Sequence, residues 1–126
     1  MRAAVAYEVG GPLVVEEVEP SPVGPRDVLV RIAASGICHT DLTVIDGLSS
    51  LPLPIVPGHE ACGRVEEVGA EMRRVRVGDR VLATVSPACG SCWWCLRSMS
   101  NRCELGPVVL GTPRNRLPDG RRAPSV

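Results

Sequence analysis

The chain has 126 residues, enough for one domain around a single hydrophobic core. Its 14 basic residues, all arginine, are matched by 14 Asp and Glu, so no net field directs it to nucleic acid or to an anionic membrane. No apolar run approaches the roughly 18 residues of a spanning helix, and Met1–Glu8 reaches a charge before any secretion-signal core develops; a soluble cytoplasmic protein is expected.

The 13 Gly and 12 Pro are spread along the sequence, which rules against long helices and leaves β-branched runs that predict strands. Arg2–Tyr7 and Leu13–Val18 read as two strands divided by Gly10-Gly11-Pro12. Pro20, Pro22 and Pro25 keep the next connection extended. Val28, Val30 and Ile32 alternate with Arg31, as in a strand with one buried side, and that run ends at Ser35-Gly36. Ile37–Ile45 suits a short helix, its first turn capped by Thr40 or Asp41 and its end marked by Gly47. Four residues in the 51–58 stretch are breakers (Pro52, Pro54, Pro57, Gly58), so it cannot be helical and delivers His59-Glu60 at a turn. Ala61–Gly69 is a strand whose period slips near Val65 and Val68, the sign of a bulge. Val75–Val85 reads as two strands about Gly78-Asp79. Many short strands with few short helices predict a mainly β chain, a small barrel or sandwich.

Chemistry concentrates in Cys89-x₂-Cys92-x₂-Cys95-x₇-Cys103. Two-residue spacers bring successive sulfurs within reach of one ion, and four thiolates leave no position for water, so this is a closed, structural Cys₄ zinc site. The same thiols could form disulfides or hold an iron–sulfur cluster. The lobe, at about residues 86–106, would project from the β body. A second cluster can be assembled from Cys38 and His59, with Glu60 as an adjacent oxygen donor. Asp41 could take the other ring N–H of His59, and Thr40 offers a hydroxyl able to pass a proton. On spacing alone, Cys38 is more often a small core residue and an isolated His59 or Asp41 a solvated loop residue. Cys62, in a strand, reads as core.

Gly36-Ile37-Cys38-His39-Thr40-Asp41, then Gly58-His59-Glu60, Gly63–Gly69, Val77-Gly78-Asp79-Arg80-Val81 and the four-cysteine motif follow one another in an order that closely resembles the N-terminal catalytic domain of zinc-dependent medium-chain alcohol dehydrogenases. The resemblance covers about residues 1–111. It implies a GroES-like, partly open β-barrel and two zinc ions, one structural and one catalytic. The catalytic ion is implied on Cys38 and His59 with Glu60 able to approach it, Thr40 starting a proton relay, Asp41 partnering His59, and His39 near the cofactor pyrophosphate. The implied reaction is oxidoreductase chemistry of class EC 1.1.1.-: a zinc-bound alkoxide of a small alcohol, or the matching aldehyde, exchanges hydride with NAD(P).

The sequence contains no Gly-x-Gly-x-x-Gly and no seventh cysteine, so the Rossmann domain and a third catalytic-zinc ligand are not found in it. Dehydrogenase activity is therefore expected of the complete enzyme and not of these residues alone. A homo-oligomer or a complementing Rossmann chain would be the partner, with neither nucleic acid nor membrane. Residues 112–126, polar and Pro-rich, are expected to be a disordered tail. The competing reading is a zinc-stabilised structural or interaction module with no catalytic activity of its own.

Overall fold

The computed structural model describes residues 1–105 and 112–124. Among them are eight short strands, one helix and two 3₁₀ turns: β1 (Arg2–Ala6), β2 (Leu13–Glu17), β3 (Glu19–Pro20), β4 (Val28–Ser35), α1 (His39–Ile45), β5 (Ala61–Val68), β6 (Arg80–Leu82), the turns Cys95–Arg97 and Ser100–Arg102, then β7 (Pro113–Arg116) and β8 (Arg122–Pro124). The chain is mainly β, as its breaker density requires. The strands form three small antiparallel sheets, β1-β2, β3-β7-β8 and β4-β5-β6.

β1 and β2 make the expected hairpin, with Val5 opposite Val14. The Pro-rich segment after α1 crosses this hairpin: Ala6 and Ile55 exchange two backbone hydrogen bonds of 2.9 Å, and the N–H of Val56 donates to Pro124 O at 3.0 Å. Its prolines thus spare the few amides that the neighbouring strands need. Two core clusters result. Val5, Val18, Leu117 and Ala123 form one, and Ala6, Val44 and Ile55 form the other, so β1 contributes to both from successive residues.

In the third sheet the register slips where Leu29 faces Glu67 but Val30 faces Val65, leaving Glu66 as the extra residue of the anticipated bulge. A second slip lies between Ile32 and Ala34. β4 ends at Ser35, just before the segment that holds Cys38.

Two expectations are corrected. Of Val75–Val85 only Arg80–Leu82 is a strand. Gly78 N–H donates to Val65 O and Val65 N–H to Asp79 O, both at 2.9 Å, so the Gly-Asp turn itself docks on β5 and residues 75–77 have no strand to join. The disordered tail is also overturned: β7 and β8 pair with each other and with β3, and they bury Asn115, Leu117 and Ala123. The expected boundary at Gly111, and Gly106 at the far end of the lobe, lie outside the described residues.

Candidate metal centres

The first centre is built where β4 runs out. Cys38 has extended backbone (φ −99°, ψ 153°) and stands immediately before α1. Asp41 makes the start of that helix: its Oδ2 accepts the backbone N–H of Cys38 at 2.9 Å, satisfying an amide that the first turn would otherwise leave open. Thr40 does not cap the helix. Its Oγ1 instead lies 3.5 Å from Cys38 Sγ.

His59 and Glu60 arrive from the Pro/Gly turn before β5, and Gly36 N–H donates to Glu60 O at 2.8 Å, which joins the two segments. Glycine lets the two segments approach without displacing the Glu60 side chain. A Cβ at this position would meet the Glu60 carboxylate and lie 3.2 Å from Glu60 Cβ. One ligand atom each from Cys38, His59 and Glu60 then falls within 4.8 Å of the others. Cys38 and His59 are half-buried and Glu60 is exposed, an arrangement of three protein donors with an open side.

Behind this set, His59 Nδ1 stands 3.3 Å from Asp41 Oδ1, both side chains being at most 10% exposed. The distance suits a charge contact, but neither atom has a hydrogen-bond partner of good geometry. Buried polar atoms left in this condition cost stability. A cation on the far nitrogen of His59 fits the pair, because it fixes the ring proton on Nδ1, facing the carboxylate. His39, the first residue of α1, is exposed on the same stretch. The structure therefore brings Cys38, Thr40, Asp41, His59 and Glu60 together, and leaves His39 at the helix start.

The second centre is the cysteine lobe. Ligand atoms of Cys89, Cys92, Cys95 and Cys103 lie within 4.8 Å of one another, with Cys103 buried. Cys89 Sγ and Cys95 Sγ are 3.9 Å apart; sulfurs about 2.3 Å from a tetrahedral zinc are separated by about 3.8 Å. All six cysteines are free, so the disulfide alternative is not what the structure shows.

Backbone amides point at the sulfurs: Ser91 N and Cys92 N stand 3.4 and 3.3 Å from Cys89 Sγ, and Cys95 N stands 3.5 Å from Cys92 Sγ. Bonds from the amide and hydroxyl of Ser91, then from Cys92 N–H, bring the Cys89 thiol down to about 6. Cys92 is lowered chiefly by the N–H of Glu104. At Cys95 the N–H of Gly90 also lowers the thiol, but burial and the neighbouring thiols outweigh it and leave Cys95 raised to about 11. Four sulfurs packed this closely cannot all carry charge unaided, and a divalent cation at their centre would allow them to.

The lobe has little apolar core. Trp93 and Trp94 pack edge to face with centroids 4.6 Å apart, Arg97 covers Trp93 at 3.8 Å and Arg102 covers Trp94 at 4.5 Å. Sequence reading gave Gly36 only as the end of a strand and the start of a motif, and gave Ser91 no role. Only their places beside the motif cysteines hinted at them.

Mainly β sheets, a cysteine lobe and a Cys-His-Glu cluster together make a domain with two sets of metal-ligand side chains, and comparison with known proteins gives its family. Residues 24–123 match the family model described as the alcohol dehydrogenase GroES-like domain, and the chain belongs to that family. It is 40% identical over 121 residues to the NDMA-dependent alcohol dehydrogenase of Amycolatopsis methanolica, a match covering 94% of this chain and 31% of that protein. Among solved structures it resembles an alcohol dehydrogenase zinc-binding domain protein from Burkholderia ambifaria, with TM-score 0.88, 36% identity, and 98% of this chain and 35% of the other covered. It also resembles the alcohol dehydrogenase TADH from Thermus sp. ATN1, with TM-score 0.74, 38% identity, and 83% and 30% covered. The chain thus spans about a third of the length of the relatives it matches.

Proposed function

We propose that this chain is the metal-binding part of a zinc-dependent, NAD(P)-linked dehydrogenase acting on a small alcohol or aldehyde. The observation that carries this reading is the convergence of Cys38, His59 and Glu60 from two separate segments to within 4.8 Å. Zinc bound there supplies a Lewis acid for a substrate oxygen. Cys38 and His59 hold the ion, and exposed Glu60 is free to approach or leave it. Asp41 orients His59 from behind, and the Thr40 hydroxyl beside Cys38 receives and passes on the proton of an alcohol. His39, exposed at the start of α1, would meet the pyrophosphate of a dinucleotide. The Cys₄ lobe holds a second, structural ion. Cysteines grouped as metal ligands instead of disulfide pairs are the pattern of a reducing compartment, which supports a cytoplasmic location.

Metal analysis tests the reading. The purified chain should bind two zinc ions, one of them removed by mild chelation. Cys38→Ser and His59→Gln should each abolish that labile ion and retain the other. A wild-type chain that takes up a single ion would count against the catalytic centre.

A further inference from the structure

We propose that Cys89 is the anchoring ligand of the cysteine lobe, held in place by two residues that touch no metal, Ser91 and Arg74. The inference rests on the lobe being a zinc site. The Cys89 sulfur faces three donors: Ser91 N at 3.4 Å, Cys92 N at 3.3 Å and the hydroxyl of Ser91 at 3.6 Å. Backbone amides are indifferent to sequence, so Ser91 Oγ is the one donor of the three that a substitution can remove. Three donors converging on one sulfur fix its position and stabilise negative charge on it, as outer partners of a metal ligand do.

Arg74 acts from the body of the molecule. Its Nη1 donates to Ala88 O at 3.1 Å, on the residue before Cys89. Its Nη2 lies where a Cβ on Gly90, the residue after Cys89, would come within 2.9 Å of it. Gly90 has φ +79°, so both its backbone and the space above it suit glycine. The guanidinium therefore ties down the backbone just before Cys89 through Ala88 O and sits over Gly90 just after it. No such brace from outside the lobe is seen among the described residues for Cys92 or Cys95. Cys89 is accordingly tied to the body by a side chain from outside the lobe, and Cys92 and Cys95 close on an ion that it already holds.

Competition between the zinc-loaded chain and a chromophoric chelator tests this. Ser91→Ala should weaken zinc binding at the lobe about tenfold, the lower end of what losing an outer partner costs, while Ser91→Thr, which keeps a hydroxyl, restores it. Arg74→Gln should speed zinc release several-fold. Neither change should alter the labile ion at Cys38 and His59, which a general loss of structure would disturb as well. Lobe affinity and release rate unchanged in Ser91→Ala and Arg74→Gln would overturn the inference and leave the zinc site intact. Loss of zinc in Ser91→Thr as well as in Ser91→Ala would also overturn it, because the hydroxyl would then not be the cause. A wild-type lobe that takes up no zinc would overturn the site and the inference together.

Discussion

The carboxylate of Asp41 is divided between a helix and a histidine, one oxygen on Cys38 N–H and the other 3.3 Å from His59 Nδ1. The two jobs can be separated. Asp41→Asn keeps an oxygen for the cap, so chemical denaturation should show stability within about 0.5 kcal/mol of wild type, yet it removes the charge facing His59. Zinc affinity at that centre should fall about 10–100-fold. Asp41→Ala should show the same metal defect and also lose about 1 kcal/mol with the cap. Cys38, Asp41, His59 and Glu60 could be picked out in the sequence only by the order of the motifs around them, since spacing alone left them open to core or loop readings. Gly36 and Ser91 could not, since one acts by the space it leaves beneath Glu60 and the other by a distance to sulfur.

At the scale of elements, the β1–β2 hairpin carries its own titratable reporter. Tyr7 donates its hydroxyl to the Glu16 carboxylate of β2, and that hydrogen bond, reinforced by burial and by the charge of Glu16, raises the phenol to about 12. A folded pKa above the unfolded value near 10 means that the contact stabilises the hairpin fully below pH 10, and that this is lost as pH rises from about 10 to about 12. As Tyr7 is the only tyrosine, the tyrosinate absorbance reports it without overlap. Glu16→Gln should bring the midpoint back towards 10, and a wild-type midpoint already at 10 would show that the bond does not persist in solution. Ile55, fully buried between β1 and α1, should cost about 2–5 kcal/mol when cut to alanine, measured by urea unfolding. The hairpin, α1 and the bulge could be read from turn residues and period. The β7–β8 pair could not: it inserts little more than Leu117 and Ala123 into the core, too few positions for any period, and Pro113 and Pro124 stand at strand ends, where proline is tolerated.

For the whole molecule, the sheet β4-β5-β6 leaves one face incomplete. Ile32 is 54% exposed and Leu82 is 79% exposed, beside a cleft of about 430 Å³ lined by Val28, Val30, Met72, Val75 and Val81. The alternation in β4 was legible, but what would cover its apolar side was not, since the relatives extend over about three times this length. The chain alone should bind a hydrophobic dye and self-associate with rising concentration, and Leu82→Glu should reduce both. Sedimentation of a wild-type monomer that binds no dye would contradict this. Hydride transfer also needs a held dinucleotide, and positioning of that kind contributes about 7–11 kcal/mol to lowering a barrier, so residues 1–126 should show negligible NAD-dependent alcohol oxidation in a direct assay. The cluster of Val5, Val18, Leu117 and Ala123 draws on both ends of the chain, whereas the four lobe cysteines are close together in sequence. On a ribosome the lobe can therefore capture zinc while Val5 still waits for Ala123 to be made. Nascent chains halted after Leu105 should accordingly retain zinc in the lobe while a protease cuts freely at β1, and protection of β1 should appear only once β8 has emerged.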